Sequence, residues 1–486
     1  MRYKILSVFA ALSAITACGD LTSINQNPNG PVDVAPPSIL PSVIQTVVSG
    51  VDGVTSLNVR GGGLWVQYYA EIQYHDEDKY LLRSGTSGGW GFYFSALEDI
   101  QRMIKKGEAT NTPNWSAVGR ILKSYTFSVM TDAMGDLPYS EALKGDTVLH
   151  PAYDTQQAIY NGLLADLAQA NSEIDPAGIG FAKGDLMYGG DMAQWKKFAN
   201  SLRLRLAVHL SNVDATKAAT EAAAAVAAGV FTSNTDNAEL LYLATSPNRN
   251  PIYDDARGRD DYGLSKTFVD SLTSWSDPRL PVYAQLNNPT DTTIPRTYQG
   301  MPNGLNDGEG PQLQFISRIG AYWRETPDAP MALLTYSEVL FLKAEAAERG
   351  WIPGGSGAAA TYYHDAIVAS LEQYGVQADT AAYLGQAKVG YDAAGATLAG
   401  HLKQIAYQKW VSLFMQGMEG WTEVRRTGVP ALVPGPRALL TSIPERLPYD
   451  DNEAVLNKPN LDAAVAAQGF DAGNDLTTPL WFTGRQ

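Results

Sequence analysis

Three groups of residues in this 486-residue chain have side chains able to do chemistry. The first is a solitary cysteine, Cys18. The second is a set of aromatic side chains among turn-forming residues: Tyr74, His75 and Tyr80; Trp90 in Gly88-Gly89-Trp90-Gly91; Tyr298 in Tyr298-Gln299-Gly300; and Tyr322-Trp323 in Gly320-Ala321-Tyr322-Trp323-Arg324. Trp and Tyr join a flat apolar face to a polar tip. That combination suits stacking on the C–H side of a sugar ring while Asp, Asn, Gln or Arg pair its hydroxyls. Flanking glycines let a tryptophan stand clear of the backbone, so Trp90, Tyr322 and Trp323 form the leading candidate set, with Tyr74 and Tyr298 beside them. For any one of these rings taken singly, packing a loop is the commoner role.

The third group is acidic. Asp254-Asp255 and Asp260-Asp261 are the densest carboxylates, and Arg257 and Arg259 between them predict mutual ion pairing on the surface. Glycoside hydrolysis needs two carboxylates about 5–10 Å apart. With 51 acidic residues such pairs arise by chance, and the spacing nominates none as catalytic. His-Glu-x-x-His and Walker motifs are absent from the sequence, and no enzyme is expected. Residues 303–309, Asn-Gly-Leu-Asn-Asp-Gly-Glu, are similar to a calcium loop but put Leu305 where an oxygen is required. No cofactor is assigned; calcium at that loop is the one alternative.

Composition removes other classes. Five His and one Cys cannot build zinc fingers, iron–sulfur sites or a disulfide framework. A net charge of −15, without a Lys/Arg cluster, argues against a nucleic-acid partner. The length suits about three domains or one large continuous unit.

Cys18 gains meaning from its flanks. Arg2 and Lys4 form a positive end, residues 5–14 are apolar, and Ile15-Thr16-Ala17 leads into the cysteine. The run is shorter than the roughly 20 residues that span a bilayer. It resembles a lipoprotein signal, in which Cys18 is acylated and becomes the new N-terminus. Two or more acyl chains anchor durably where one does not. Residues 1–17 are therefore read as the signal peptide, 18–41 as a tether too rich in Asn, Pro, Asp and Ser to sustain a helix, and 42–486 as a single domain.

The elements that position these residues read as helices separated by long loops. Val118, Ile121, Leu122, Tyr125 and Val129 repeat at helical spacing within 116–133, with Gly135 and Pro138 as the stop. Asp154 with Gln157, Asp191 with Gln194 and Thr335 with Glu338 have the spacing of capping boxes. Residues 214–229 are Ala-rich, and 401–417 carry Leu402, Ile405, Trp410, Leu413 and Phe414 inward. Residues 244–331 and 428–486 are dense in Pro, Gly, Asn and Asp. Loops of that length usually carry function.

Six blocks in order resemble the SusD/RagB family of outer-membrane nutrient-binding lipoproteins, most closely its SusD-like branch. They are Cys18-Gly19-Asp20-Leu21 leading to Asn25-Gln26-Asn27-Pro28-Asn29; Asp132-Ala133-Met134-Gly135-Asp136-Leu137-Pro138-Tyr139-Ser140-Glu141-Ala142; Trp195-Lys196-Lys197-Phe198-Ala199-Asn200-Ser201-Leu202-Arg203-Leu204-Arg205; Thr335-Tyr336-Ser337-Glu338 through Ala346; Gln408-Lys409-Trp410 onward to Gly420-Trp421-Thr422-Glu423-Val424-Arg425-Arg426; and Ile443-Pro444-Glu445-Arg446-Leu447-Pro448-Tyr449. The resemblance implies a mostly α protein, a degenerate tetratricopeptide-like helix-pair scaffold with long loops and a second packed helical part. It further implies a lipid anchor in the outer membrane facing the exterior, an oligosaccharide ligand, and a SusC-like TonB-dependent transporter that the protein covers as a lid. Some relatives handle peptides or other nutrients. Only Asp20 supplies acid directly after Cys18, a departure from the family's more acidic export signal. Asp132, Asp136 and Tyr139, and the arginines Arg203, Arg205, Arg425 and Arg426, read as structural, the arginines pairing with acids of neighbouring helices or with carbonyls at helix ends.

Overall fold

The computed structural model describes residues 34–53, 57–83, 89–377 and 380–485. Cys18, the expected signal segment and most of the expected tether lie outside them. Among the described residues the longer helices are α1 Pro36–Asp52, α2 Ala96–Ala109, α3 Pro113–Met134, α4 Gln156–Glu173, α5 Met192–His209, α6 Ala215–Ala228, α7 Lys266–Ser274, α8 Tyr336–Glu348, α9 Gly355–Gln373, α10 Leu398–Ser412, α11 Gly417–Thr427 and α12 Lys458–Ala467. None is long and apolar enough to cross a membrane.

The fold is mostly α, built from packed helix pairs in the tetratricopeptide manner. Three residues separate α2 from α3, and Gly119 of α3 lies so close to Ile104 of α2 that an added Cβ would come within 2.6 Å of its side chain. Helix α3 also packs on α4, α5 packs on α4 and α6, and α8 packs on α9, α10 and α5. The rows of apolar side chains expected at 116–133 lie within α3, which opens on Pro113 and ends at Gly135, φ +90°. Proline in the first turn forfeits a donor that has no helical partner there.

Helix α1 overturns the expectation that residues 18–41 cannot be helical, because it starts at Pro36 and carries Pro41 in its interior. An interior proline costs about 3 kcal/mol. Against that, Leu40, Val43, Ile44, Val47, Val48 and Val51 are each at most 2% exposed, and full burial of such a side chain contributes about 1.5–3 kcal/mol. Packing wins by a wide margin. The helix expected at 401–417 is divided: α10 ends at Ser412, Met415 takes φ +74°, and α11 starts at Gly417.

The capping pattern is half as expected. Asp191 accepts from Ala193 N and Gln194 N, and Thr335 accepts from Glu338 N. Yet Glu338 turns away to Arg205, and Thr155 rather than Asp154 caps α4. Asp154 instead accepts from Tyr139 N and Ser140 N, closing the loop after α3.

Five helices contribute a charged network to the interior. Arg205 of α5 makes two 2.6 Å bonds to Glu338 of α8 and lies 3.6 Å from Glu419 of α11. Arg426 bonds Glu345 and Glu423, each at 2.7 Å, and Lys409 of α10 lies 3.1 Å from Glu423. His209 reaches Glu419 at 3.0 Å and Asp132 at 3.2 Å. Burial alone would lower the His209 pKa, but Glu419 and Asp132 lift it to about 9. His209, Glu419 and Glu423 stand within 4.8 Å of one another, as metal ligands would. Arg205, Lys409 and Arg426 already supply the positive charge there. The other two motif arginines also find partners: Arg203 pairs with Glu221 at 2.6 Å, and Arg425 stacks 3.5 Å from the Trp421 ring while donating to Glu445 O at 2.8 Å.

The long loop 244–331 is more ordered than its composition suggests. It holds α7 and strand β3. The strands are β1 Tyr69–Glu71, β2 Ala238–Leu240, β3 Tyr262–Leu264 and β4 Met331–Leu334. β1 pairs antiparallel with β3, Ala70 opposite Gly263, and β2 pairs antiparallel with β4. A small apolar cluster of Ala70, Ile72, Met301, Leu305 and Ile316 underlies the β1–β3 pair, separate from the main core.

Candidate ligand-binding surface

Strand β1 delivers the chain into a loop whose tip is Tyr74. This residue takes φ +60°, an uncommon conformation for a non-glycine side chain. Contacts from three segments hold it there: its N–H donates to Asp307 Oδ1 at 3.2 Å, and its carbonyl accepts from Arg83 Nη2 at 3.2 Å. The Arg259 guanidinium sits 5.0 Å from the ring centroid. Arg259 is itself fixed by Asp261 at 2.7 Å, and Asp261 accepts from Gln73 as well. The ring nonetheless remains 53% exposed.

Below the tip lie three buried carboxyl groups. Burial, then a hydrogen bond to Glu77, pushes Glu71 up to about 10, so it is protonated at neutral pH. Glu77 meets Arg83 at 2.9 Å. Asp78 accepts from Asn303 Nδ2 at 2.7 Å and Gly304 N at 3.0 Å; burial still raises it to about 7. These bonds tie the Tyr74 loop to the 303–309 loop from beneath. In the 303–309 loop Glu309 pairs with Arg437 at 2.8 Å, and Leu305 packs into the small apolar cluster.

The other predicted site residues are dispersed. Trp323 is 2% exposed and enclosed by Tyr283, Tyr374 and Phe414, with ring centroids 5.5–6.1 Å away. It cannot present a face to a sugar. Tyr322 stacks edgewise on it at 4.9 Å and is half-buried. The space beside this pair is about 20 Å³, room for one water. Trp90 is 5% exposed and packs in a different ring cluster with Tyr93, Tyr153 and Tyr449. Its visible edge forms part of a cleft of about 270 Å³ with Phe94, Leu149 and Leu456. Tyr298 is half-buried against the main core. The expected set of Trp90, Tyr322 and Trp323 is therefore not one surface, and of the five candidates only Tyr74 offers an open ring.

The residues that sequence reasoning missed are the charged neighbours of Tyr74. Arg259 pairs with Asp261, as expected for the acidic group, but Arg257 lies over Tyr253 at 3.4 Å, and Asp260 is shared by Arg324 and Arg318. What this arrangement can do is stack the apolar side of a ring on Tyr74 while Arg259 donates to its edge and Asp307, whose side chain is 76% exposed, accepts.

A family described as starch-binding and associating with the outer membrane, SusD-like, matches residues 28–450. The chain belongs to the SusD-like family. Solved SusD-like structures agree along nearly the whole chain. A SusD homolog from Bacteroides fragilis is 25% identical with TM-score 0.80, covering 93% of this chain and 100% of its own. A chitin-binding SusD homolog from Flavobacterium johnsoniae is 26% identical with TM-score 0.80, covering 92% and 99%. Another structure, named a chitin-binding protein, is 30% identical with TM-score 0.76 over the same shares. Among curated proteins no relative is detected.

Proposed function

We propose that this SusD-like protein captures an oligosaccharide on the Tyr74 surface and delivers it to a TonB-dependent outer-membrane transporter as its lid, held to the exterior face by lipid on Cys18. The observation that carries the ligand reading is the half-exposed Tyr74 ring, strained into place and ringed by Arg259, Arg83 and Asp307. A backbone conformation that costs energy persists where the surroundings impose it. Glycan handling by two chitin-binding relatives of similar fold supports the substrate class. The role is binding rather than turnover, and the protein leaves a bound oligosaccharide uncleaved.

The test is retention on polysaccharide affinity gels and calorimetry with the soluble oligomers. Wild type is retained, and Tyr74→Ala loses retention while keeping its melting temperature. Full retention by Tyr74→Ala removes this surface from the reading, and binding of peptides with no saccharide bound replaces glycan with peptide cargo.

A further inference from the structure

Adjoining the Tyr74 surface is a cleft of about 540 Å³ lined by Gln285, Leu286, Asn288, Arg296, Leu313, Gln314, Ile316 and Arg318. The two surfaces share a foundation. Ile316 at the cleft floor belongs to the same small cluster as Ile72, two residues before Tyr74, and Asp260, next to Arg259, lies 3.6 Å from Arg318 Nε.

The lining carries two guanidinium groups, three side-chain amides and no carboxylate, in a chain whose net charge is −15. Arg296 is exposed and donates only to main-chain oxygens, Asn287 O at 2.7 Å and Leu286 O at 3.2 Å. Among the described residues it has no acidic partner. Arg318 is mostly buried, its Nη1 has no hydrogen-bond partner, and its one carboxylate, Asp260, also serves Arg324. Burial pulls the Arg318 pKa below the ordinary guanidinium value. Beside the cleft, Glu325 is engaged by Gln285 Nε2 at 2.8 Å, and Asp291 accepts from Thr293 N and Thr293 Oγ1. Buried donors without partners are costly to leave unmade, and a guanidinium fork matches the geometry of carboxylate and sulfate oxygens.

We propose that this cleft receives the acidic group of an anionic glycan, a uronate carboxylate or a sulfate ester, on Arg296 and Arg318. The neutral faces of the same chain rest on Tyr74. The assignment builds on the glycan-capture reading and narrows it. In a chain of net negative charge, a lining with guanidinium and amide groups and no carboxylate favours an acidic group there, so the cleft also helps fix the register in which the oligosaccharide lands.

The experiment is calorimetry on the purified protein with four probes: galacturonate oligomers as the carboxylate source, carrageenan oligomers, which carry sulfate esters and no carboxylate, as the sulfate source, and malto- and chito-oligomers as neutral controls. The acidic oligomers bind more tightly, their affinity falls between about 50 and 500 mM salt, and whichever of the two binds better identifies the group. Arg296→Gln weakens acidic binding roughly tenfold or more, leaves neutral binding unchanged, and does not shift the melting temperature. Arg318→Gln gives the same discrimination if it folds; Arg296→Gln decides if it does not. Equal binding of neutral and acidic oligomers, or acidic binding unaffected by Arg296→Gln but abolished by Tyr74→Ala, overturns the anionic subsite and leaves glycan capture standing. Failure of all four probes and of the polysaccharide gels overturns both.

Discussion

Glu71 lies beneath the ligand loop with its side chain 2% exposed and its carboxyl held protonated. A carboxyl whose folded pKa lies above its unfolded value costs stability progressively as pH rises from the unfolded value of 4.5 toward about 10. Glu71→Gln keeps the shape, the acceptor for Asp78 N and a donor toward Glu77, while removing the titration. It raises stability at pH 8 by about 1–3 kcal/mol, the gain shrinking toward pH 5; urea denaturation across that range checks it. Trp323→Ala behaves differently from a ligand-contact variant. It empties a packed aromatic site and lowers stability by about 3–5 kcal/mol, read as a fall in denaturation midpoint. Trp323 was the misleading residue in the sequence. Gly320 suggested freedom, but a Cβ there would lie 1.6 Å from Val282 O, so the glycine serves close backbone approach and the tryptophan beyond it points inward. The aromatic candidates themselves were visible in the sequence. Which one stays open depends on packing by Tyr374 and Phe414, 51 and 91 residues downstream of Trp323, and no local spacing reveals that.

At the level of elements, periodicity with capping spacing gave α3, α4, α5 and α8, because amphipathic rows survive when one face of a helix is buried, and alanine content gave α6. Periodicity missed α1, whose prolines mimic a linker, and α2, α7, α9 and α12. The interior charges that lock α5, α8, α10 and α11 together were anticipated only as unspecified partners of arginines. They make strong predictions. Arg205→Ala strands Glu338 in the interior and costs about 3–5 kcal/mol, measured by chemical denaturation. His209 is fully buried and charged, with its pKa raised to about 9, so its contribution is complete below pH 6.5 and disappears as pH climbs to 9. His209→Gln therefore destabilises by about 3 kcal/mol at pH 6 and much less at pH 9.5, and a pair of denaturation curves at those values separates charge loss from simple packing loss.

For the whole molecule, the proposed anchor sets the geometry. Under the proposed processing, removal of Arg2 and Lys4 with the signal leaves a chain two charges more negative than −15, and attachment is then expected to rest on the acyl chains and the transporter. Cys18→Ala releases the protein from the outer-membrane fraction, and wild-type protein extracted in mild detergent carries a large β-barrel with it; fractionation and gel analysis check both, and extraction of the protein alone removes the lid role. One further consequence concerns time. Arg205 waits for Glu338, 133 residues later, and Asp132 and His209 wait for a helix that begins at Gly417. A chain emerging N-terminus first therefore has Arg205 without Glu338 until residue 338 arrives, and His209 without Glu419 until the last sixth of the sequence. Such long sequence separations slow folding. A product truncated before Gly417 lacks the Glu419 and Glu423 carboxylates, and it is expected to be cut faster than the full chain in limited proteolysis.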